Sequence, residues 1–329
     1  MEPFFAFLIS LSFGFIPMFI YASIIYFLDR YEKEPLLLLG AVFTWGAVIA
    51  AAGAFIINTS LGVGIFLATH SEGVADLTTG FMVAPLVEES LKGFAVLLVF
   101  WLFHNEFDST LDGIVYAAVT ALGFAATENS FYIYNLGYLK GGWDALFSVT
   151  FIRTIVVGWQ HPFFTSFLGI GLAYARMHNN LRAKMAAPLA GWAVSITAHA
   201  FHNLLASLGV GGLGLLGSVI DWTGWIAMLI FIFYIANREK LLLKKYLQEE
   251  IYLGNITSAQ YFTAQSTRWQ TLALSKGHIL STIHFYQLCA ELTHKKNQFA
   301  LLGEEQNNSV MIQSLRNELK NLSPRAASW

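Results

Sequence analysis

The sequence has few of the groups on which soluble domains and disulfide-stabilised domains depend. Of its 329 residues, one is cysteine and 12% are charged, about half of the roughly 25% that is usual in a soluble globular domain. A single cysteine, Cys289, excludes an internal disulfide framework, and it leaves the nine histidines without thiolate partners for a Cys-rich zinc site. The net charge of −2 gives no indication of nucleic-acid binding. The sequence also has no fixed-period repeat and no low-complexity tract.

The sequence consists largely of long apolar runs, and 56% of the residues are hydrophobic. A membrane-spanning helix needs about 20 mostly apolar residues. Seven runs meet this length, roughly 4–28, 36–57, 81–103, 111–134, 149–176, 186–208 and 216–237. The first lacks the basic start of a signal peptide, so we expect it to remain as a span, and the shorter run Leu61–Thr69 is expected at the interface or as a re-entrant segment. The predicted fold class is an all-α, polytopic membrane helix bundle of about seven transmembrane helices.

Basic residues in the short loops indicate the orientation, because cytoplasmic loops are enriched in Lys and Arg. With seven spans, three basic groups fall on one side: Arg30 and Lys33; Arg176, Arg182 and Lys184; and Arg238, Lys240, Lys244 and Lys245. Lys140 stands alone on the opposite side. We therefore expect the N-terminus outside and the C-terminus in the cytoplasm.

The composition changes after Asn237. The following 92 residues hold 11 of the 19 Lys and Arg and have no long apolar run. Thr257 and Gln260 have the spacing of a helix capping box. A helical stripe, which Ser323-Pro324 would end, lies near the C-terminus and consists of Ile312, Leu315, Leu319 and Leu322. We therefore divide the chain into a membrane domain, 1–237, and a small cytoplasmic helical tail, 238–329.

Polar residues interrupt four of the predicted spans. They are Glu88, Glu89 and Lys92 in the third, Glu128 and Asn129 in the fourth, His161 in the fifth, and His199, His202 and Asn203 in the sixth. Ionisable groups are costly inside a membrane, normally face the bundle interior and mark function. At 1.5 Å per residue, Glu88 and Glu128 lie roughly 10 and 9 Å from the outer ends of spans that run in opposite directions. The groups are therefore predicted to form one layer in the outer half, with His161 deepest at roughly 18 Å.

Helical spacing also brings these groups onto shared faces. The sets that share a face are Glu88 with Lys92, Phe124 with Glu128, and His199 with His202 and Asn203. Pro85 and Pro162 lie beside the polar groups, and each removes a helix hydrogen bond. Irregular backbone at membrane depth is tolerated where it lines protein or a wet cavity, so water could reach this layer.

Paired carboxylates with a lysine and histidines suit hydrolysis. Two adjacent carboxylates in an apolar environment cannot both ionise easily, so only one is expected to carry a charge and to pair with Lys92. The other can take up and release a proton, which suits a general base that activates water. Histidines with a further carboxylate suit either a zinc site, whose ligands would come from different helices, or stabilisation of an oxyanion. Taken singly, Glu88 with Lys92 could be a structural ion pair and His161 a satisfied core histidine. Arg153 and Asp221, near helix ends, are expected at the interface.

Four motifs in order resemble the PrsW-type intramembrane proteases, which are related to the CAAX prenyl endopeptidases and ABI proteases. The stretch 88–92, Glu-Glu-Ser-Leu-Lys, resembles their E-E-x-x-K motif, and Phe124 to Glu128 resembles F-x-x-x-E. The stretch 161–176 is similar to their His-bearing helix, and 199–203 is similar to their last motif. That motif ends in Asp or a similar residue, whereas position 203 here is Asn. The resemblance covers about residues 1–237.

The resemblance implies an intramembrane peptidase, usually classed as a metalloprotease, in the bacterial cytoplasmic (inner) membrane. Its substrate would be a membrane-spanning protein cut on its extracytoplasmic side, as in site-1-like cleavage of a single-pass anti-sigma factor during signal transduction. The implied roles are a catalytic group of Glu88, Glu89 and Lys92, a metal-binding group of Glu128, His161 and His199, and supporting residues His202 and Asn203. Zinc is the expected metal, and a metal-free mechanism using the same Glu and His residues stays open.

Two other functions fit the same residues. A CAAX- or ABI-type glutamate-dependent membrane endopeptidase usually has Arg where this chain has Gly93, and His in place of Glu128. A transporter or proton-relay protein would use the buried carboxylates as carriers, and it usually has two repeat halves, which this sequence lacks. Gly93 and Glu128 both favour the PrsW type over the CAAX or ABI type.

Overall fold

A computed structural model describes residues 1–207, 212–304 and 307–329, with the side chains of 212–216 excepted. Within these ranges the regular structure is helical and includes no strand, as predicted. The α-helices are α1 (Glu2–Leu28), α2 (Leu36–Thr44), α3 (Ala51–Thr69), α4 (Glu72–Thr78), α5 (Ala84–Leu102), α6 (Thr110–Tyr132), α7 (Leu139–Phe151), α8 (Gln160–Arg176), α9 (Leu181–Ser207), α10 (Gly212–Tyr246), α11 (Gln248–Tyr252), α12 (Ser258–Ala264), α13 (Thr267–Ala273), α14 (Ile279–Leu302) and α15 (Asn308–Leu322).

Four stretches of the described chain are long and apolar enough to cross a membrane: Glu2–Leu28, Leu36–Thr69, Thr110–Arg176 and Gly217–Tyr252. The second is continuous through α2 and α3, so Leu61–Thr69 extends a span and is not a separate interfacial or re-entrant segment. The third is 67 residues long and contains α6, α7 and α8, which is more than one crossing needs. An all-helical membrane protein is therefore confirmed, whereas the count of seven spans stays a prediction.

The most deeply buried helix in the described chain is α6. Every residue from Leu111 to Ala126 is buried, which is expected of a helix that is apolar on all sides. Its start is set by a capping box: the Ser109 hydroxyl accepts from the backbone N–H of Asp112, and the Asp112 carboxylate accepts from the backbone N–H of Ser109. This helix carries Glu128 near its other end.

Glycines bring the backbones of two neighbouring helices against α6. A Cβ atom on Gly113 would lie 2.3 Å from the carbonyl oxygen of Gly169 in α8, and one on Gly169 would lie 2.0 Å from that of Gly113. A Cβ atom on Gly123 would lie 2.0 Å from the carbonyl oxygen of Phe43 in α2. Real Cβ atoms essentially never approach within 3.0 Å, so only glycine fits. The first of these contacts holds α8, which carries His161, against α6.

Four π-helical turns interrupt the helices of the described chain. They are Trp45–Ala50, Thr79–Val83, Ile133–Tyr138 and Ile152–Val156. Such turns are rare and occur frequently at functional sites. The second of them ends just before Pro85, which lacks the N–H that would continue an α-helical ladder from the preceding turn. It leads directly into Glu88 and Glu89.

The predicted fifth span is broken in its middle. Val157 leaves the helical conformation (φ −122°, ψ 10°), and α8 begins at Gln160. His161 therefore lies in the first turn of a helix, and the predicted depth of roughly 18 Å, which assumed a continuous helix, does not apply. Pro162 lies in the same turn, where its missing N–H leaves no helix hydrogen bond unmade.

The chain divides into two compact units. Unit 1 consists of Met1–Phe27, Glu34–Ala175 and Lys184–Ile230, and unit 2 consists of Leu28–Lys33, Arg176–Ala183 and Phe231–Trp329. Unit 2 has a hydrophobic core of its own that includes the buried Phe285 and Leu319. Within it, the predicted capping box of Thr257 and Gln260 is confirmed, and so is the buried stripe of α15 that ends at Ser323.

Candidate active site

Helix α5 supplies two carboxylates and a lysine, all buried: Glu88 is 6% exposed, Glu89 1% and Lys92 0%. Lys92 Nζ donates to Glu89 Oε1 at 2.5 Å, three residues away on the same helix. The other oxygen of Glu89 accepts from Thr165 Oγ1 of α8 at 2.8 Å. The Lys92 ammonium also lies 4.6 Å from the centre of the Phe124 ring. Glu89 is therefore a paired and fully hydrogen-bonded carboxylate.

Glu128, on α6, is held by two segments that come later in the chain. Its Oε2 accepts from Arg153 Nη2 and lies 2.9 Å from His161 Nε2. Arg153 Nε also donates to Asn129 Oδ1 at 2.9 Å. Arg153, which was expected near a membrane interface, lies in the π-helical turn Ile152–Val156, just before the helix is interrupted at Val157. Its guanidinium contacts the Glu128 carboxylate. It is therefore part of the candidate site.

His161 connects the lysine of α5 to the carboxylate of α6. Its Nδ1 lies 3.2 Å from Lys92 Nζ, and its Nε2 lies 2.9 Å from Glu128 Oε2. An ammonium group can only donate, so the hydrogen-bond network assigns Nδ1 as the acceptor and Nε2 as the N–H that donates to Glu128. The imidazole thus spans the space between the two charged groups.

His199, on α9, faces both glutamates of α5. Its Nδ1 lies 2.9 Å from Glu89 Oε1, and its Nε2 lies 3.8 Å from Glu88 Oε2. Its ring stacks on Phe164, with centroids 5.0 Å apart and planes at 18°. Donation from Nδ1–H to Glu89 leaves the Nε2 lone pair directed towards Glu88. A carboxylate behind a histidine in this way is the usual device for orienting a metal-binding or proton-accepting imidazole.

Glu88 carries an oxygen without a hydrogen bond. Its Oε1 accepts from Asn58 Nδ2 at 3.4 Å, whereas its buried Oε2 has no hydrogen-bond partner among the described residues. Buried polar atoms are nearly always hydrogen-bonded to protein or ordered water, so this oxygen is free to accept a hydrogen bond from water or another ligand. Glu88 and Glu128 line a cavity of about 470 Å³ whose other walls are mostly apolar, with alanines such as Ala51 and the ring of Phe124.

Three of the buried side chains have the donor types of a catalytic zinc site. Within the described chain, Glu88, His161 and His199 each offer one ligand atom, and these atoms lie within 4.8 Å of one another. Two histidines and one glutamate are an established zinc ligand set. Glu88 Oε2 and His199 Nε2 fit this role as they stand, while His161 fits once its Nε2 exchanges Glu128 for the ion. The carboxylate that is grouped with the two histidines is thus Glu88. Glu128, the predicted ligand, is hydrogen-bonded to Arg153 and His161.

His202 and Asn203, the predicted supporting residues, tie α9 to two other elements. His202 Nδ1 lies 2.8 Å from Asp221 Oδ2, and Gln160 Nε2 donates to that oxygen at 2.7 Å. This network joins α8, α9 and α10 beside His161 and His199, and Asp221, which was expected near a membrane interface, is buried within it. Asn203 Nδ2 donates to the carbonyl oxygen of Gly80, in the π-helical turn before α5, at 2.8 Å.

Several polar residues of the site were not assigned from the sequence. They are Asn58, Arg153, Gln160, Thr165 and Asp221. A signal existed for two of them: Thr165 is four residues after His161 and so shares its helix face, and Asn58 is an amide within a long apolar run. The role of Arg153 depends on the broken span, which no periodicity predicts.

Comparison with known proteins identifies the family. The profile described as PrsW family intramembrane metalloprotease matches residues 34–236, which is more than half of the chain. Protease PrsW of Geobacillus kaustophilus is 36% identical over 123 residues, which are 37% of this chain and 51% of that protein. Protease PrsW of Oceanobacillus iheyensis is 31% identical over 176 residues, 53% of this chain and 73% of that protein.

A third relative, Protease PrsW of Clostridioides difficile, is 36% identical over 108 residues, which are 32% of this chain and 43% of that protein. The chain thus spans about half the length of the first of these relatives. No solved structure is significantly similar to the chain. The resemblance that the four motifs carried is confirmed, and the chain belongs to the PrsW family of intramembrane metalloproteases.

Proposed function

We propose that the chain is a membrane-embedded peptidase in which Glu88 activates the attacking water. The observation that carries the proposal is the buried Glu88 Oε2, which accepts no hydrogen bond from any described residue and lies beside a cavity. A carboxylate in such a position can accept a proton without first giving up another partner. The imidazole of His199, 3.8 Å away, lies within reach of the same water.

The reaction needs a base, a group that stabilises the oxyanion, and an oriented imidazole from these side chains. Water oxygen bonds to the peptide carbonyl carbon while Glu88 takes the proton, and the proton then passes to the leaving amide nitrogen as the C–N bond breaks. The Lys92 ammonium has three N–H donors and gives two of them to Glu89 and His161, so its third can stabilise the negative charge that develops on the carbonyl oxygen. Glu89 stays paired with Lys92 and orients His199.

The family is described as metalloproteases, and Glu88, His161 and His199 are the residues that would hold zinc. A bound zinc ion would polarise the peptide carbonyl and acidify water. With Glu88 engaged as a ligand, Glu128, which lines the same cavity, is the carboxylate available to take the proton. The contacts of His161 with Lys92 and Glu128 favour the metal-free alternative, in which Glu88 acts directly.

Metal analysis separates these two mechanisms. If zinc takes part, the purified wild-type protein should hold about one equivalent, and H199A and Glu88→Gln should lose it while remaining folded. If the Glu and His residues act alone, zinc should be absent from active wild-type protein, and a chelator should leave peptide cleavage unchanged.

Seven transmembrane spans with a cytoplasmic C-terminus are proposed for the topology. Two basic loops that were predicted to be cytoplasmic, within 28–33 and 176–183, belong to the same compact unit as the C-terminal region. This grouping supports one common side for all three. Membrane-impermeant labelling of single cysteines in these loops, in right-side-out spheroplasts, should give no reaction, whereas a cysteine at Lys140 should react.

The proposed substrate is a membrane-spanning protein cut on its extracytoplasmic side, such as a single-pass anti-sigma factor. Co-expression of the full chain with a candidate substrate should produce a shortened substrate band. The variants Glu88→Ala, Glu89→Ala, His161→Ala and His199→Ala should each reduce that band by roughly 100-fold or more, as expected for loss of a catalytic acid or base.

The chain offers a matched control for these variants. His284 and Glu318 form a pair at 2.8 Å that is half exposed, outside the candidate site, so H284A and Glu318→Ala should cleave as the wild type does. Normal cleavage by all four site variants would contradict the proposed site. Coupled ion flux in proteoliposomes without hydrolysis would favour a transporter instead.

A further inference from the structure

Asn58 lies where two cavities of unit 1 meet. One is the cavity of about 470 Å³ that contains Glu88, and the other, of about 380 Å³, is bounded by Glu72 and Asp76 of α4. Asn58 and Thr59 line both. Since Glu72 and Asp76 are exposed, the second cavity has a charged mouth, and its shared residues Asn58 and Thr59 make it a neighbour of the cavity that Glu88 lines.

Within the described chain, three residues that line these two cavities carry a buried oxygen without a hydrogen-bond partner. Thr79 lines the second cavity, Asn58 lines both and Glu88 lines the first, and the oxygens concerned are Thr79 Oγ1, Asn58 Oδ1 and Glu88 Oε2. Each is buried, and none has a hydrogen-bond partner among residues 1–207, 212–304 and 307–329. Burying polar atoms without partners costs free energy, and buried water is the usual partner in a cavity of this size, because each water needs only about 30 Å³.

We propose that the two cavities form the water route to the candidate active site, and that Asn58 is the positioning residue that presents water to Glu88. This inference rests on the proposed peptidase function, because hydrolysis consumes one water for each bond that is cut. The amide of Asn58 suits the task since it has both a donor and an acceptor. Its Nδ2 donates to Glu88 Oε1 at 3.4 Å, and its Oδ1 remains to accept from a water that can donate to Glu88 Oε2.

The opposite face of α3 provides a control position for Asn58. Ile56, two residues before Asn58 on α3, is 63% exposed on the outer surface and lines neither cavity. In a membrane this side chain is expected to contact lipid. One helix therefore presents an apolar face outward and an amide towards the cavities, so that accessibility to water should differ sharply between the two positions.

Thiol labelling tests the route without any substrate. The single native cysteine, Cys289, is 1% exposed, and burial, with a smaller contribution from the Glu250 carboxylate, raises the pKa of its thiol above the usual range. It should therefore react slowly. In the purified full-length protein, cysteines introduced by Thr79→Cys and Asn58→Cys should react with a charged methanethiosulfonate reagent, and one introduced by Ile56→Cys should not.

Kinetics test the role of Asn58. Asn58→Leu, which is nearly isosteric but apolar, should lower kcat by roughly 10- to 100-fold through misplaced water while KM changes little. Asn58→Gln should recover part of the loss because it keeps the amide. Ser60→Leu, on the same helix and outside both cavities, should cleave normally, and the elution profile on size exclusion should match for all variants.

The outcomes are distinguishable from failure of the proposed function. Labelling at positions 79 and 58 but not 56 supports the route even if no substrate is cleaved. Absence of labelling at 79 and 58, or full activity of Asn58→Leu, overturns the proposal while leaving a peptidase possible by another water path.

Discussion

Three acidic and two basic side chains meet in the candidate site: Glu88, Glu89 and Glu128 with Lys92 and Arg153. Each cation has one carboxylate, so Glu88 is the carboxylate in excess. Charges in a low-dielectric site interact far more strongly than in water. A proton or a bound cation on Glu88 would therefore restore neutrality, and both are states that hydrolysis uses.

Replacing Arg153 should reveal its part in this balance. In Arg153→Met the Glu128 carboxylate keeps only His161 as a partner, and leaving a buried charge without its counter-charge costs about 3–5 kcal/mol, less here because both side chains are 20% exposed. We expect cleavage to fall by at least roughly 10-fold, with partial recovery in Arg153→Lys. The same change at the exposed Arg182, Arg182→Met, is the control and should leave cleavage unchanged. A normal rate for Arg153→Met would show that Glu128 does not need this partner.

Thr165 offers a gentler change in the same cluster. Thr165→Val keeps the shape and removes the hydroxyl that donates to Glu89 Oε2 at 2.8 Å. A hydrogen bond to a charged group contributes about 1.5–3 kcal/mol, so initial rates should fall by roughly 10- to 100-fold, and Thr165→Ser should restore them. Thr197→Val, at an exposed position of α9, should leave the rate unchanged; equal effects at both positions would refute a specific role.

Residue chemistry could be predicted better than residue partners. The cost of charge in an apolar helix singled out Glu88, Lys92 and Glu128 from the sequence alone. Which imidazole meets which carboxylate depends on helix rotation and on a break within a span, and neither has a local sequence signal of sufficient strength. For that reason the sequence did not indicate that Glu88 offers an oxygen within 4.8 Å of a ligand atom of each of the two histidines. The ligand role of Glu128 stays a prediction.

At the scale of elements, the site depends on how closely helices approach α6. The contact between Gly113 and Gly169 lets α6 and α8 touch through their backbones, as small residues do in membrane helix packing. Because His161 lies in the first turn of α8 and Glu128 lies on α6, any separation of the two helices lengthens the 2.9 Å contact between these side chains.

A single methyl group tests this dependence. Gly113→Ala would bring a Cβ atom to 2.3 Å from the Gly169 carbonyl oxygen, and overpacking of this kind costs about 1–3 kcal/mol. Thermal unfolding in detergent should shift down by roughly 3 °C or more, with a loss of cleavage. The matched substitution is Gly40→Ala in α2, which meets nothing within 4 Å; a similar fall in both proteins would mean that the effect is not one of packing.

Helices were predictable as elements because apolar runs of sufficient length recur along the chain. The interruption after Val157 was not, because residues 149–176 read as one apolar run while the chain turns between them. Pro162 could have signalled it, since proline favours the first turn of a helix over its interior. The continuation of the second span to Thr69 was missed for the opposite reason, because Asn58, Thr59 and Ser60 look like an end.

At the scale of the whole molecule, unit 2 is organised around a buried charge. Glu250 is 0% exposed and accepts from Lys296 Nζ at 2.6 Å, from Arg316 Nε at 3.0 Å and from Asn255 Nδ2 at 2.6 Å. These contacts join α11 to α14 and α15. The neighbouring Glu249 pairs with the same two cations but is 56% exposed.

The pair of adjacent glutamates makes a direct comparison possible. Glu250→Gln leaves two cations partly uncompensated in a buried place, which costs about 3–5 kcal/mol when a partner is removed, whereas the exposed Glu249→Gln should cost at most about 1 kcal/mol. Hydrogen exchange of peptides from α14 and α15 should therefore accelerate only in Glu250→Gln. Equal acceleration in both variants would contradict a buried network.

Helical periodicity predicted the last helix, α15. The domain boundary that the composition change after Asn237 indicates stays a prediction. Unit 2 also contains Leu28–Lys33 and Arg176–Ala183. This could not be predicted, because those segments are short and carry no periodic pattern. Their basic residues served only to predict the side of the membrane on which these loops lie.

The π-helical turns also bear on how the family can change over time. A turn with i→i+5 hydrogen bonds holds one residue more than an α-helical turn, so a membrane helix can gain or lose one residue there and keep its length on either side. Insertions and deletions of single residues among relatives are therefore expected at 45–50, 79–83, 133–138 and 152–156. The stretches between them, where a one-residue slip would turn Glu88 or Glu128 away by about 100°, should align without gaps.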